Sequence, residues 1–164
     1  MTIYLKKKQS LQIDVFNFKC SIGKNGLSKR KIEGDKKTPR GSFRLGSLYF
    51  RKDRIKSIKS KLNHVKIKTK MGWCDDVNVP KKYNKLIKIN NKIHHEKLYR
   101  KDNKYDLLIP IKYNWKKIVT GKGSCIFIHL TKNYNPTAGC IALKKKDFLI
   151  MLKLIKKNSK IEII

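Results

Sequence analysis

Cysteine and histidine can together make a nucleophile, and one such pair in this chain stands out by its surroundings. His129 lies in an apolar run, Cys125, Ile126, Phe127, Ile128, His129 and Leu130. Cys140 follows Gly139 and opens directly onto a second apolar run, Ile141, Ala142 and Leu143. The polar segment 131–138, which contains Pro136, lies between them. A thiol attacks only as its thiolate, and a free cysteine is largely protonated near neutral pH. It therefore needs a base beside it, and an imidazole is one. Gly139 lets the backbone pass close to a substrate, and the amides around Cys140 are candidates to hold a developing oxyanion. This chemistry requires the first run to be a strand, as its β-branched and aromatic content predicts. The second run must be a short neighbouring strand, with the loop folded back so that Cys140 lies beside His129.

Other chemistries fare less well. The four cysteines, Cys20, Cys74, Cys125 and Cys140, are widely spread and form no CxxC pair, which argues against a disulfide framework or a zinc site. Cys125 and His129 point to one face of a strand but lie about 13 Å apart, too far for one metal. The adjacent His94 and His95 diverge on either a strand or a helix and read as solvated. Asp75 and Asp76 do not face each other on a strand, so they make a poor acid/base pair. The segment Gly121, Lys122, Gly123, Ser124 lacks the spacing of a phosphate-binding loop and leads into a strand. No metal and no cofactor is expected.

The elements that must position the pair read as mostly strands. Residues 1–22 predict a hairpin or bulged pair, with Ile3 and Leu5 alternating, then Leu11, Ile13 and Val15, and a phase slip at Phe16. Residues 23–26 are a turn, and 33–46 a loop in which Glu33 and Asp35 bond nearby amides or pair with Arg40 or Arg44. Residues 51–61 read as a solvated basic stretch, and Val65, Ile67 and Met71 suggest another strand. A short helix is predicted near Ile93, Glu96, Lys97 and Arg100. Leu107 to Pro110 and Ile111 to Asn114 read as one strand interrupted by Pro110, and so as an edge or a bulge. The clearest helix is 145–157, where Phe148, Met151, Leu152 and Ile155 recur at helical spacing and Asp147 sits in the first turn. Ile161, Ile163 and Ile164 close the chain as a strand.

Composition bounds the answer further. A chain of 164 residues is read as a single domain, 1–164. The net charge of +31 is read first as compositional, since Lys, Asn and Ile are all abundant. The competing reading is an anionic partner, nucleic acid or an acidic wall polymer. No compact basic run with interleaved aromatics appears, so no specific nucleic acid is expected. Seven of the 11 acids (Glu33, Asp35, Asp75, Asp76, Glu96, Asp102 and Asp106) fall in a few short blocks, which suggests ion pairs or a polar site. No apolar run approaches a membrane span, and the start, with its lysines at 6–8, shows no secretory signal.

Four blocks in order, 22–45, 72–87, 95–114 and 123–143, resemble the L,D-transpeptidase (YkuD-like) family. The pattern of a His followed by Ser/Thr-x-Gly-Cys matches His129, Thr137, Gly139 and Cys140. Two positions depart from it: Ala138 stands where many members have His, and Ala142 where many have Arg or Asn. The resemblance implies a mainly β (α+β) fold, a β-sandwich with a C-terminal helix packed against it. It implies acyl transfer from peptidoglycan stem peptides, with Cys140 attacking, His129 as base and then acid, and Gly139 and the Cys140 amide at the oxyanion. Thr137, Tyr113, Asn114, Arg100 and Trp73 are the candidates for substrate binding and shaping of the groove. The protein is expected to act as a monomer on stem peptides in the periplasm or cell envelope, or in the cytoplasm if the absent signal decides. The alternatives are hydrolysis of the same bond, as an L,D-carboxypeptidase in wall recycling, and a non-catalytic module that binds wall or polyanion.

Overall fold

The computed structural model describes residues 1–7 and 9–164, so Lys8, the last of the lysines at 6–8, lies outside the described residues. In chain order the strands are β1 (Thr2–Lys7), β2 (Ser10–Ile13), β3 (Phe16–Ser21), β4 (Leu27–Ser28), β5 (Thr38–Pro39), β6 (Gly41–Arg44), β7 (Leu48–Phe50), β8 (His64–Lys66), β9 (Met71–Cys74), β10 (Leu86–Lys88), β11 (His95–Lys97), β12 (Leu107–Pro110), β13 (Phe127–Leu130), β14 (Ile141–Leu143) and β15 (Lys160–Ile163). The helix α1 (Lys145–Leu154) lies between the last two. One curled sheet runs β6-β15-β1-β2-β3-β14-β13-β12-β7-β8; β10-β9-β11 form a second and β4-β5 a third. The fold is mainly β, a sandwich-like arrangement with the C-terminal helix packed on it.

The middle of the large sheet is buried on both faces, and period-two alternation decides which side chain goes where. Ile128, Leu130, Ile141, Leu143, Leu107 and Ile109 face the main core. Phe148, Met151, Leu152 and Ile155 of the helix join them there, together with Ile3, Leu5, Leu11, Ile13, Ile161 and Ile163. The alternate residues Phe127, Leu108 and Cys140 face the opposite way, into a smaller aromatic cluster with Trp73, Tyr49 and Tyr105. A strand covered on both faces reads as a continuous apolar run, which is why the 125–130 segment does. His129 occupies the same alternating position as Phe127.

Several expectations need correcting. Residues 1–21 hold three antiparallel strands, not two. The phase slip at Phe16 is a tight turn through Asp14 and Val15, with Asp14 at φ 52°, and the register irregularity lies between Leu5 and Lys7. The helix expected around Ile93 to Arg100 is replaced by β11, because Glu96 pairs opposite Trp73 at the edge of β9. β12 is an interior strand, flanked by β13 and β7. Pro110 is tolerated because β7 pairs only with Leu107 and Leu108, and beyond them the neighbour on that side, Gly46, donates to the Pro110 carbonyl at 2.7 Å and asks no N–H of the proline. The predicted C-terminal helix ends at Leu154, with Ile155 as its cap.

Candidate active site

β13 and β14 are parallel neighbours in register: Ile128 opposite Ile141, His129 opposite Ala142, and Leu130 opposite Leu143. Cys140 stands one residue before β14, level with Phe127, whose amide donates to its Sγ at 3.4 Å. The thiol and the imidazole are thus diagonal neighbours on one face, and such residues lie about 7–8 Å apart, their Cβ atoms somewhat less. Ala142 lies directly across from His129, and its small side chain leaves the imidazole room. Both Cys140 and His129 line one cleft of about 900 Å³. Its walls are the 100–106 segment on one side and the loop 131–138 on the other.

The resting state of the pair follows from its partners. His129 Nδ1 lies 2.9 Å from the carbonyl oxygen of Leu130. A carbonyl can only accept, so Nδ1 carries the proton and Nε2 keeps its lone pair. The ring of Tyr105 packs edge-on against the imidazole at 5.3 Å between centroids. Burial pushes the pKa of His129 down to about 4, against a weaker upward pull from the Leu130 carbonyl. Burial likewise pushes the Cys140 thiol up to about 12, only partly offset by the Phe127 amide. The thiol donates to the Cys125 carbonyl at 3.1 Å. At neutral pH both groups are therefore uncharged, and the thiol's own hydrogen bond runs to the Cys125 carbonyl.

The turn that presents Cys140 is held from three sides. Thr137 Oγ1 donates to the Cys140 carbonyl at 2.6 Å and accepts from the Gly139 amide at 3.1 Å. Thr38 Oγ1 donates to the Gly139 carbonyl at 2.8 Å. Gly139 adopts φ 140°, and a Cβ there would stand 2.9 Å from the Lys37 carbonyl oxygen, so only glycine fits. The Gly139 amide thus already has an acceptor in this state.

The other predicted residues divide. Arg100 lines the cleft, tied to Glu96 at 3.0 Å and Asp102 at 2.7 Å. Thr137 also lines it, with its hydroxyl committed to backbone. Trp73 does not line it: it is 2% exposed, a packing anchor beneath Phe127 whose Nε1 donates to Asn84 Oδ1 at 3.1 Å. Tyr113 and Asn114 lie away from the cleft and organise the loop that precedes β13. The Tyr113 hydroxyl donates to the Lys122 carbonyl, and Asn114 Nδ2 to those of Val119 and Gly123.

Sequence reading passed over three supports. Asn84 bonds Trp73, the Cys125 amide and the carbonyls of Tyr113 and Asn114, so one amide side chain joins three segments behind the site. Arg51, at the start of the basic stretch, is 3% exposed and not solvated; it grips Asp53 twice and the Arg100 carbonyl. Arg54 holds Asp106 and the carbonyls of Lys101 and Asp102, fixing the cleft wall. All seven block acids do have partners: Glu33 takes Tyr83 and Ser124, Asp35 takes Lys31, Asp75 takes His94, and Asp76 takes the amides of Asn78 and His94. Glu96 and Asp102 bind Arg100, and Asp106 binds Arg54. Arg40 and Arg44 are not the partners of Glu33 or Asp35.

Residues 1–163 match the family model of the L,D-transpeptidase catalytic domain, YkuD. The chain belongs to that family. No curated protein matches it. Among solved structures, that of Bdellovibrio bacteriovorus Bd1075 is similar over 99% of this chain, with a TM-score of 0.50 and 16% identity. The chain spans 47% of that protein's solved chain, and at this identity the likeness bears on the fold.

For this L,D-transpeptidase-family domain the buried neutral pair has a measurable signature. An unfolded histidine protonates near pH 6.5 and His129 in the fold only near 4, so between those values the unfolded state binds the extra proton. Stability from its burial is complete above about 6.5 and is lost as pH falls towards 4, by roughly 3 kcal/mol. Cys140 works at the other end: the unfolded thiol ionises first, so stability falls as pH rises above 9. Thermal melts from pH 4 to 10 should show a plateau between those limits, and His129→Asn should flatten the acid flank. An unchanged acid slope in that variant would contradict a neutral buried imidazole.

Proposed function

We propose that the protein is a cysteine-dependent L,D-transpeptidase acting on peptidoglycan stem peptides in the cell envelope. The observation that carries this reading is Cys140 and His129 lining one cleft in a domain of this family. Cys140 gives its proton to His129 as Sγ attacks the carbonyl of the third residue of the stem. The oxyanion is met by the Cys140 amide. His129 returns the proton to the departing amine of the terminal D-alanine, leaving a thioester on Cys140. The amine of a second stem then attacks the thioester, His129 takes its proton, and the thiol is restored as the cross-link forms. Basic lining residues such as Arg100, Lys104 and Lys132 suit the carboxylates of such a peptide.

The test is to incubate the purified protein with a tetrapeptide stem and an amine acceptor stem. A mass increment on Cys140 equal to the acylating tripeptide, together with cross-linked dimer, is the expected result. The tripeptide alone would reassign the reaction to an L,D-carboxypeptidase. No adduct and no product, with binding retained, would leave a non-catalytic wall-binding module.

A further inference from the structure

Lys31 is 4% exposed, an unusual place for an ammonium in a chain whose other lysines are mostly at the surface. Its stem runs beneath Gly123, where a Cβ would come within 2.8 Å of Lys31 Cε. Its Nζ is 2.7 Å from Asp35 Oδ1 and 3.6 Å from where a Gly139 Cβ would be. The two glycines, Gly123 at φ 101° and Gly139 at φ 140°, thus leave a channel that the lysine fills. Asp35 is fixed in turn by the amides of Ile32 and Lys37. Lys37 is the residue whose carbonyl crowds Gly139, so the 31–38 segment and the 137–140 turn are built against each other. A buried charge of this kind is costly unless paired, and it is weak evidence of stability in itself.

We propose that Lys31, held by Asp35 beside Gly139, is the positioning charge of the Cys140 site, favouring negative charge on Sγ when the thiol proton passes to His129. The inference rests on the reading of Cys140 as nucleophile. No proton leaves Lys31: the Sγ–H bond breaks, its electron pair stays on sulfur, and the proton moves to Nε2. The cation nearest the glycine lowers the cost of that separation, and the carboxylate behind it limits the gain. Glu96, across the cleft, opposes it, and the Phe127 amide acts with it.

Opposite charge changes separate this role from a structural brace. Lys31→Met keeps the stem and removes the cation, while Asp35→Asn keeps the shape and removes the opposing anion. The readout is the rate of Cys140 alkylation by iodoacetamide at pH 8, assigned by peptide mass mapping, with melting temperature alongside. Lys31→Met should slow alkylation about fivefold to tenfold, and Asp35→Asn should speed it severalfold, although both variants melt lower. A brace alone would move both rates in one direction with the loss of stability, and that result would overturn the proposal. If Lys31→Met does not fold, Asp35→Asn decides by its sign. Alkylation needs no stem peptide, so shifts of the expected signs without turnover would sink the transpeptidase reading and leave the role of Lys31 standing.

Discussion

His129→Asn should turn over a tetrapeptide stem about 10²–10⁴-fold more slowly than the parent, with its KM within about twofold. The substitution is chosen for what it keeps. An asparagine amide can still donate to the Leu130 carbonyl that now accepts from Nδ1 at 2.9 Å. What disappears is the free lone pair of Nε2, the base that the proposed reaction uses. With the thiol raised to about 12, almost none is ionised at neutral pH, so the reaction depends on a base at the moment of attack. Steady-state rates and single-turnover accumulation of the Cys140 thioester measure this directly. If His129 were only a buried histidine satisfied by its backbone bond, the variant would lose stability and keep its rate. The same logic fixes the shape of the pH profile. Activity should rise from acid pH as His129 loses its proton, with a midpoint nearer 4 than 6.5, and stay level through neutrality.

What the sequence disclosed, it disclosed through period and residue type. The run 125–130 and the pair Gly139-Cys140 were legible because a twice-buried strand is apolar throughout and the turn before β14 needs a glycine at φ 140°. The helical stripe from Phe148 to Ile155 was legible for the same reason: burial imposes a period. The 93–100 segment was not. Glu96 and Lys97 sit in a strand only because β9 offers an edge, and partner geometry leaves no mark on local spacing. The roles of Arg51, Arg54 and Lys31 were hidden by abundance: in a chain with 42 Lys and Arg, three structural cations look like the rest. The acids were informative because they are scarce. Asn84 gave no signal at all, since a buried amide joining three segments has the same residue type as a solvated one.

Trp73→Ala should lower stability by about 3–5 kcal/mol, the usual cost of removing a large buried aromatic, and in a chain of this length lower the melting temperature by about 8–16 °C. Trp73 packs against Tyr49, Trp115 and Phe127 at once, with centroids 6.1, 5.6 and 5.3 Å away. It is also the floor under the strand whose Phe127 amide meets the Cys140 sulfur. Trp73→Phe separates the packing from the hydrogen bond. It keeps most of the ring and costs about 1 kcal/mol for the lost Nε1 donor, because Asn84 Oδ1 still accepts from the Cys125 amide at 3.2 Å. The alternative, that this tryptophan forms a wall of the groove, predicts the reverse pattern: a raised KM in the Phe variant with the melting temperature nearly unchanged. A ring that is 2% exposed and absent from the cleft lining cannot touch a peptide lying there, so its influence on turnover must pass through the position of Phe127 and Cys140. The Phe variant should accordingly keep its KM, and any loss should fall on kcat.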